Sequence, residues 1–248
     1  MSNRPTFRTQ LCEILDIEYP IMLAGMGSMG KATPPALVAA VSNAGGMGVI
    51  GGAGLEPETI RQKIRETRKL TDKPIGVDLL LPVNLDINAE PTRTMLRQQI
   101  ERDYPKHYAL MREQLAKYGV EEVLVQSETV VSVDQTRAQV NVVLEEDVQV
   151  FAAGLGDPSW VAPMAREKGM TVVGLVGSPR NAERQAAAGC DIVIAQGYEA
   201  GGHTGKIASF PLIPQVVDAV TPIPVVAAGG IADGRGIAAA LSLGAIGV

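Results

Sequence analysis

Cysteine is scarce in this sequence: Cys12 and Cys190 are the only two, and they lie far apart in the chain. Two such residues cannot build a disulfide framework or a cysteine-based metal site, and a reducing compartment is the simplest reading. Basic clusters are missing as well. With 22 Lys and Arg against 27 Asp and Glu, the formal net charge is −5, which gives no electrostatic footprint for nucleic acid. The N-terminal stretch Met1 to Gln10 is polar and lacks the apolar core of a secretory signal. No run reaches the roughly 18 apolar residues that a membrane span needs. Low-complexity tracts and short-period repeats are also lacking. The expectation is a soluble cytoplasmic protein with neither a membrane nor a nucleic-acid partner.

What the sequence does have is apolar content and glycine. At 248 residues and 46% hydrophobic, it can bury one large core. Its 27 glycines gather at the ends of short apolar runs, at Gly25–Gly30, Gly45–Gly54, Gly201–Gly205 and Gly229–Gly236. A single such glycine is ordinary turn chemistry. Four clusters, each after a strand-like run, point to backbone that approaches a ligand closely.

Strand and helix signals alternate along the chain. Strands are predicted at Pro20–Ala24, Met47–Ile50, Pro74–Leu81, Val148–Ala153, Thr171–Val176, Asp191–Ala195 and Pro224–Ala228. Helices fall between them, at Pro34–Asn43, Glu56–Leu70, Ser159–Lys168, Asn181–Ala188, Leu212–Val220 and Arg235–Leu243. Strands such as Pro74–Leu81 are apolar throughout, which suits a parallel sheet covered on both faces. Repeated βα units of this kind predict an α/β fold, a TIM-type (β/α)₈ barrel. Seven strands are complete and Ala245–Val248 begins an eighth, so the expectation is a barrel truncated at the start of strand 8.

One stretch breaks the alternation. Residues 84–147 carry a long polar helix pattern, Glu90–Tyr118, followed by a mixed segment with Val123–Val125 and Arg137–Leu144. They are expected to form a small helical insertion or lid lobe. The barrel itself would then comprise residues 1–83 and 148–248.

Active sites of (β/α)₈ barrels lie at the C-terminal ends of the strands. That rule selects Ala24–Met26, Asp78, Gln196–His203 and Gly229–Gly230. His203 is one of two histidines, and it alone sits in a glycine-rich strand-end loop. An isolated histidine is most often a surface group; this setting favours a functional role. His107, among Arg102, Asp103 and Lys106, reads as solvated. Glu199 reads as a loop brace, Cys190 as core packing, and Trp160 as packing at a helix start.

The string AQGYEAGGHTG at residues 195–205 resembles the hallmark segment of the nitronate monooxygenase (2-nitropropane dioxygenase) family, which includes the FMN-dependent type II enoyl-ACP reductases. EYPIMLAGMG with TPPALVAAVSNAGGMGVIGG is similar to the family's first βαβ unit, and PIPVVAAGGIADGRGIAAALSLGAIGV to its penultimate unit. The similarity is weakest over residues 84–147.

The resemblance implies FMN as cofactor and no metal. Gln196 would hydrogen-bond the flavin ring, and the backbone of Ala24, Gly25 and Met26 would pack against it. Gly201, Gly202, Gly229 and Gly230 would line the cofactor site, the last two offering N–H groups to the phosphate. His203 would face the substrate. At two positions the chain departs from the family pattern: Gly25 stands where a proline is usual, and Asp78 where asparagine is common.

The implied activity is oxidation of an alkyl nitronate, or a similar activated carbon acid, with molecular oxygen. Reduction of an enoyl thioester by NAD(P)H is the alternative enzyme, and an inactive FMN-binding or structural protein the alternative of another class. The expected partners are a small-molecule substrate and oxygen, with a homodimer allowed.

Overall fold

The computed structural model describes residues 7–27, 31–82, 92–120 and 132–248, with Arg93 described by its backbone alone. The chain divides into two compact units, Met1–Val83 with Arg137–Val248, and Asn84–Thr136.

The larger unit opens with helix α1 (Gln10–Leu15) and continues through α2 (Pro35–Asn43), β1 (Gly48–Gly51), α3 (Pro57–Arg68) and β2 (Ile75–Leu81). After the C-terminal part of α6 (Val133–Glu145) follow β3 (Val150–Gly156), α7 (Ala162–Glu167), β4 (Thr171–Val176), α8 (Pro179–Ala187) and β5 (Ile192–Gln196). The unit ends with α9 (Ser209–Val220), β6 (Val225–Ala228) and α10 (Gly234–Ser242). The helix starts follow local chemistry: proline stands at the first or second helical position of α2, α3, α7 and α8. Ser178 and Asp233 cap α8 and α10 through their side chains.

The six strands form one parallel sheet in sequence order. Both of its edges are engaged. Met22 bridges Met47 beside β1, and Gly247 bridges Val226 in β6, each in parallel. The two bridging segments then bond to each other: Met22 N–H donates to Val248 O at 2.7 Å, and Val248 N–H to Pro20 O at 2.9 Å. Backbone hydrogen bonds therefore run around a ring. The short Ala245–Val248 segment occupies the eighth position that the alternation calls for.

Both faces of the strands are buried, which is why they read as continuous apolar runs. Residues such as Phe151, Val172, Val193 and Val225 face the helices. Met47, Val49, Val150, Ala152, Val173, Ile192 and Val226 face inward, joined by Leu11, Cys12 and Leu15 of α1. Helix α1 has no counterpart among the predicted elements. Its six residues are too short for a periodic pattern, and it is held by what it buries.

In the second unit, the predicted single helix Glu90–Tyr118 is two helices, α4 (Arg93–Asp103) and α5 (Pro105–Lys117); Glu90 itself lies outside the described residues. Tyr104 leaves helical geometry at φ −131° because Pro105 has no N–H and crowds the residue before it. His107 is exposed on α5, in edge contact with the Tyr104 ring. Val123–Val125 lie outside the described residues.

The second unit ends at Thr136, ahead of the boundary expected at 147. The reason is packing. Val140 and Val143 are fully buried in the helix-side core, and the Gln139 side chain donates to Leu55 O at 2.6 Å. Arg61 and Arg65 of α3 also pair with Glu146.

Candidate active site

An open cavity of about 630 Å³ lies above the inward-facing core. That is an ordinary size for a site that takes a small molecule or cofactor. Its wall is largely apolar, with Val49, Ala152, Val173, Ile194 and Val226 among the strand residues. The polar groups come from strand ends and the turns after them. Of the residues selected from the sequence, Ala24, Gly25, Asp78, Gln196, Gly229 and Gly230 line it. Met26, Gly201, Gly202 and His203 are not among its lining residues.

Each wall has a local cause. The buried Thr33 hydroxyl accepts the Gly51 N–H at 2.9 Å and donates to Met26 O at 3.2 Å. That bridge pins the 24–26 segment against β1 so closely that a Cβ on Gly51 would lie 2.2 Å from Met26 O. Gln196 ends β5 in register with Ala228, which brings it beside the Gly229–Gly230 turn. Gly229 has φ of 105°, a conformation glycine adopts without steric cost.

Asp78 lies in β2, paired with Gly51 on one side and Ala152 on the other. It keeps a small exposure to the cavity but is otherwise enclosed by protein. Its Oδ1 is buried with no hydrogen-bond partner, and the nearby Gly154 backbone N–H favours the charged form. Burial pushes its carboxyl up to about 7, the Gly154 bond opposing. The two departures from the family pattern are in contact here. A Cβ on Gly25 would fall 2.3 Å from the Asp78 Cβ, so no larger residue fits at 25 without displacing Asp78.

Glu199 lines the cavity too, and the structure gives it a bracing role. Its carboxylate accepts the Ser209 N–H at 2.9 Å, at the start of α9, and lies 2.9 Å from the Ser209 hydroxyl. Its own backbone N–H, with the N–H and hydroxyl of Ser209, holds its carboxyl below the ordinary range. The anion sits where the helix dipole favours it.

His203 is exposed. Gly201 and Gly202, both at positive φ, carry the loop outward. What ties this loop to the site is Gln196, whose amide donates to His203 O at 3.2 Å. The histidine backbone is therefore anchored at the strand end, while the residue is exposed and does not line the cavity. Sequence reasoning did not foresee this use of Gln196, since the bond depends on a loop path that glycine leaves undetermined.

Outside the cavity, Cys190 is buried, donating to Gln185 Oε1 at 3.3 Å, and burial pushes its thiol up to about 12; it is core. Trp160, expected to pack, is 41% exposed. Among the described residues there is no cluster of metal-ligating side chains, and no helix is long and apolar enough to cross a membrane.

A strand-end cavity in a curled parallel α/β sheet defines a class of enzyme sites that bind small molecules and cofactors. The chain belongs to the nitronate monooxygenase family, whose model matches residues 8–248. A Mycobacterium tuberculosis protein named as a monooxygenase is 38% identical over 249 residues, covering 97% of this chain and 64% of the relative. FabK from Thermotoga maritima superposes with a TM-score of 0.73 at 35% identity, covering 98% of this chain and 61% of that one. A nitroalkane oxidase from Streptomyces ansochromogenes also gives 0.73, at 31% identity, covering 96% and 65%. The chain thus spans somewhat less than two thirds of the length of each of these relatives.

Proposed function

We propose that the cavity, in a TIM-type (β/α)₈ barrel, holds FMN and that the protein oxidises alkyl nitronates or a similar activated carbon acid with molecular oxygen. One observation carries this reading: residues far apart in sequence, Ala24–Gly25, Asp78, Gln196 and Gly229–Gly230, line one apolar strand-end cavity. Their chemistry fits the cofactor. The inward valines and alanines suit a planar apolar ring, and Gln196 can both donate and accept towards its polar edge. The Gly229–Gly230 turn, at φ of 105° and 72°, would offer backbone N–H groups to the phosphate. Bound FMN supplies the electron-transfer chemistry.

The chain's own residues bind, orient and move protons. A nitronate is already an electron-rich anion and needs no strong base. For the neutral nitroalkane, His203 would be the proton acceptor, its backbone anchored to Gln196 at the strand end beside the cavity. A second reading, NAD(P)H-dependent reduction of an enoyl thioester at this site, draws support from the equal likeness to FabK.

The test is direct. The protein reconstituted with flavin should turn yellow, release FMN rather than FAD on extraction, and consume oxygen with alkyl nitronates. Rapid anaerobic bleaching by NADH, with turnover of enoyl thioesters and none of nitronates, would select the second reading. No flavin binding at all would sink both.

Gln196 offers a finer test. Gln196→Ala should weaken FMN binding by about 1–2 kcal/mol, the scale of one or two hydrogen bonds, as read by flavin fluorescence titration. An unchanged dissociation constant would remove Gln196 from the ring's contacts.

A further inference from the structure

The cavity described above contains an anomaly that its family reading does not require: a carboxyl group deep in an apolar wall with no cation to compensate it. Among the lining residues only Asp78 and Glu199 are ionisable, and none is a Lys, Arg or His. Glu199 is committed to Ser209 at the start of α9. The segments packed against Asp78 are the 24–26 stretch, β1 and β3, and none carries a titratable side chain. The space Asp78 occupies is reserved for it. Added Cβ atoms would lie 2.3 Å from its Cβ at Gly25 and 2.6 Å from its Oδ1 at Gly154.

A charged carboxylate here has one backbone N–H and an anionic neighbour across the cavity, and a planar ligand would strip away its remaining water. Under those conditions the neutral acid is the favoured form. A neutral carboxyl differs in kind from a carboxylate: it carries a proton and can donate a hydrogen bond. Asparagine, common at this position by the resemblance, has a donor at every pH.

We propose that Asp78 enters the flavin complex as the neutral carboxylic acid, donating a hydrogen bond to an acceptor atom of the bound ring, so that cofactor uptake carries a proton into the cavity. This rests on the flavin reading above. The free carboxyl, pushed up to about 7 by burial, is mostly ionised at pH 8 and must take up its proton there as the ring binds. The competing arrangement is a carboxylate that stays charged and accepts from a ring N–H; it predicts no proton uptake.

The experiment measures FMN dissociation constants by fluorescence quenching from pH 5.5 to 8.5 for the native chain and for Asp78→Asn. The ratio of the two constants, native over variant, cancels the titration of the FMN phosphate itself. The ratio is expected to be flat below about pH 6 and to rise nearly tenfold per unit above pH 7, as required when one proton is taken up on binding. Calorimetry of the native chain in buffers of different ionisation enthalpy provides a reading that does not depend on the variant folding. It should show uptake of about nine-tenths of a proton per FMN at pH 8, falling to about one-tenth at pH 6, for a group that titrates near 7.

A ratio constant with pH, or one that falls above pH 7, overturns the proposal while leaving flavin binding intact. Zero proton uptake at pH 8 does the same. Absence of FMN binding by both chains overturns the flavin reading, and this inference falls with it.

Discussion

His203→Ala is expected to lower turnover of a neutral nitroalkane by about 10²–10⁴-fold, the usual contribution of a positioned proton-transfer group. The fold and the flavin spectrum should survive, because the ring is exposed and makes no contribution to the core. The preformed nitronate should lose much less, since its proton has already gone. Steady-state oxygen consumption with the two forms, at matched concentration, measures the asymmetry. Equal losses would indicate that the ring positions or stabilises the anion and moves no proton. Full activity with both would remove His203 from the mechanism. Glu199 would then be the remaining carboxylate at the cavity, though it is engaged by Ser209.

The frame of this protein was legible because its signals are redundant. Each strand from β1 to β6 is a largely apolar run that ends near glycine or proline, and most of the helices between them start with a proline or a side-chain cap. Agreement between periodicity and punctuation placed them to within a few residues. Three features were hidden, each for a physical reason. Helix α1 is too short to show a period, and its Leu11, Cys12 and Leu15 gain order only from the inward-facing core. The break at Tyr104–Pro105 was written in the proline, but the polar pattern on either side ran on unbroken. The assignment of Arg137–Asp147 to the sheet unit depends on contacts with Leu55 and Arg61, more than 75 residues earlier, which no local pattern reports. In the site the strand-end rule picked Ala24, Gly25, Asp78, Gln196, Gly229 and Gly230, which line the cavity, and also Met26 and the 201–203 loop, which do not. It could not place the loop beyond Gln196, because Gly201 and Gly202 release the backbone from any single path.

Asp78 also makes the folded chain sensitive to pH, independently of any catalytic role. A carboxyl that titrates near 7 when folded and near 3.8 when unfolded binds a proton on folding throughout that interval. The folded state therefore loses stability as pH rises from about 4 to about 7, and the loss is complete above it. The gap between those two values corresponds to up to about 4 kcal/mol at 1.36 kcal/mol per pH unit. Asp78→Asn keeps the size and one side-chain oxygen while removing the charge. In the flavin-free chain, the variant should match the native protein near pH 4.5 to within about 1 kcal/mol. It should exceed the native protein by a growing margin that levels off near pH 7.5. Urea unfolding at half-unit pH steps gives the difference between the two curves, in which every other titrating group cancels. A difference that does not change with pH would mean that Asp78 is hydrated in the open cavity and ionises at the ordinary value.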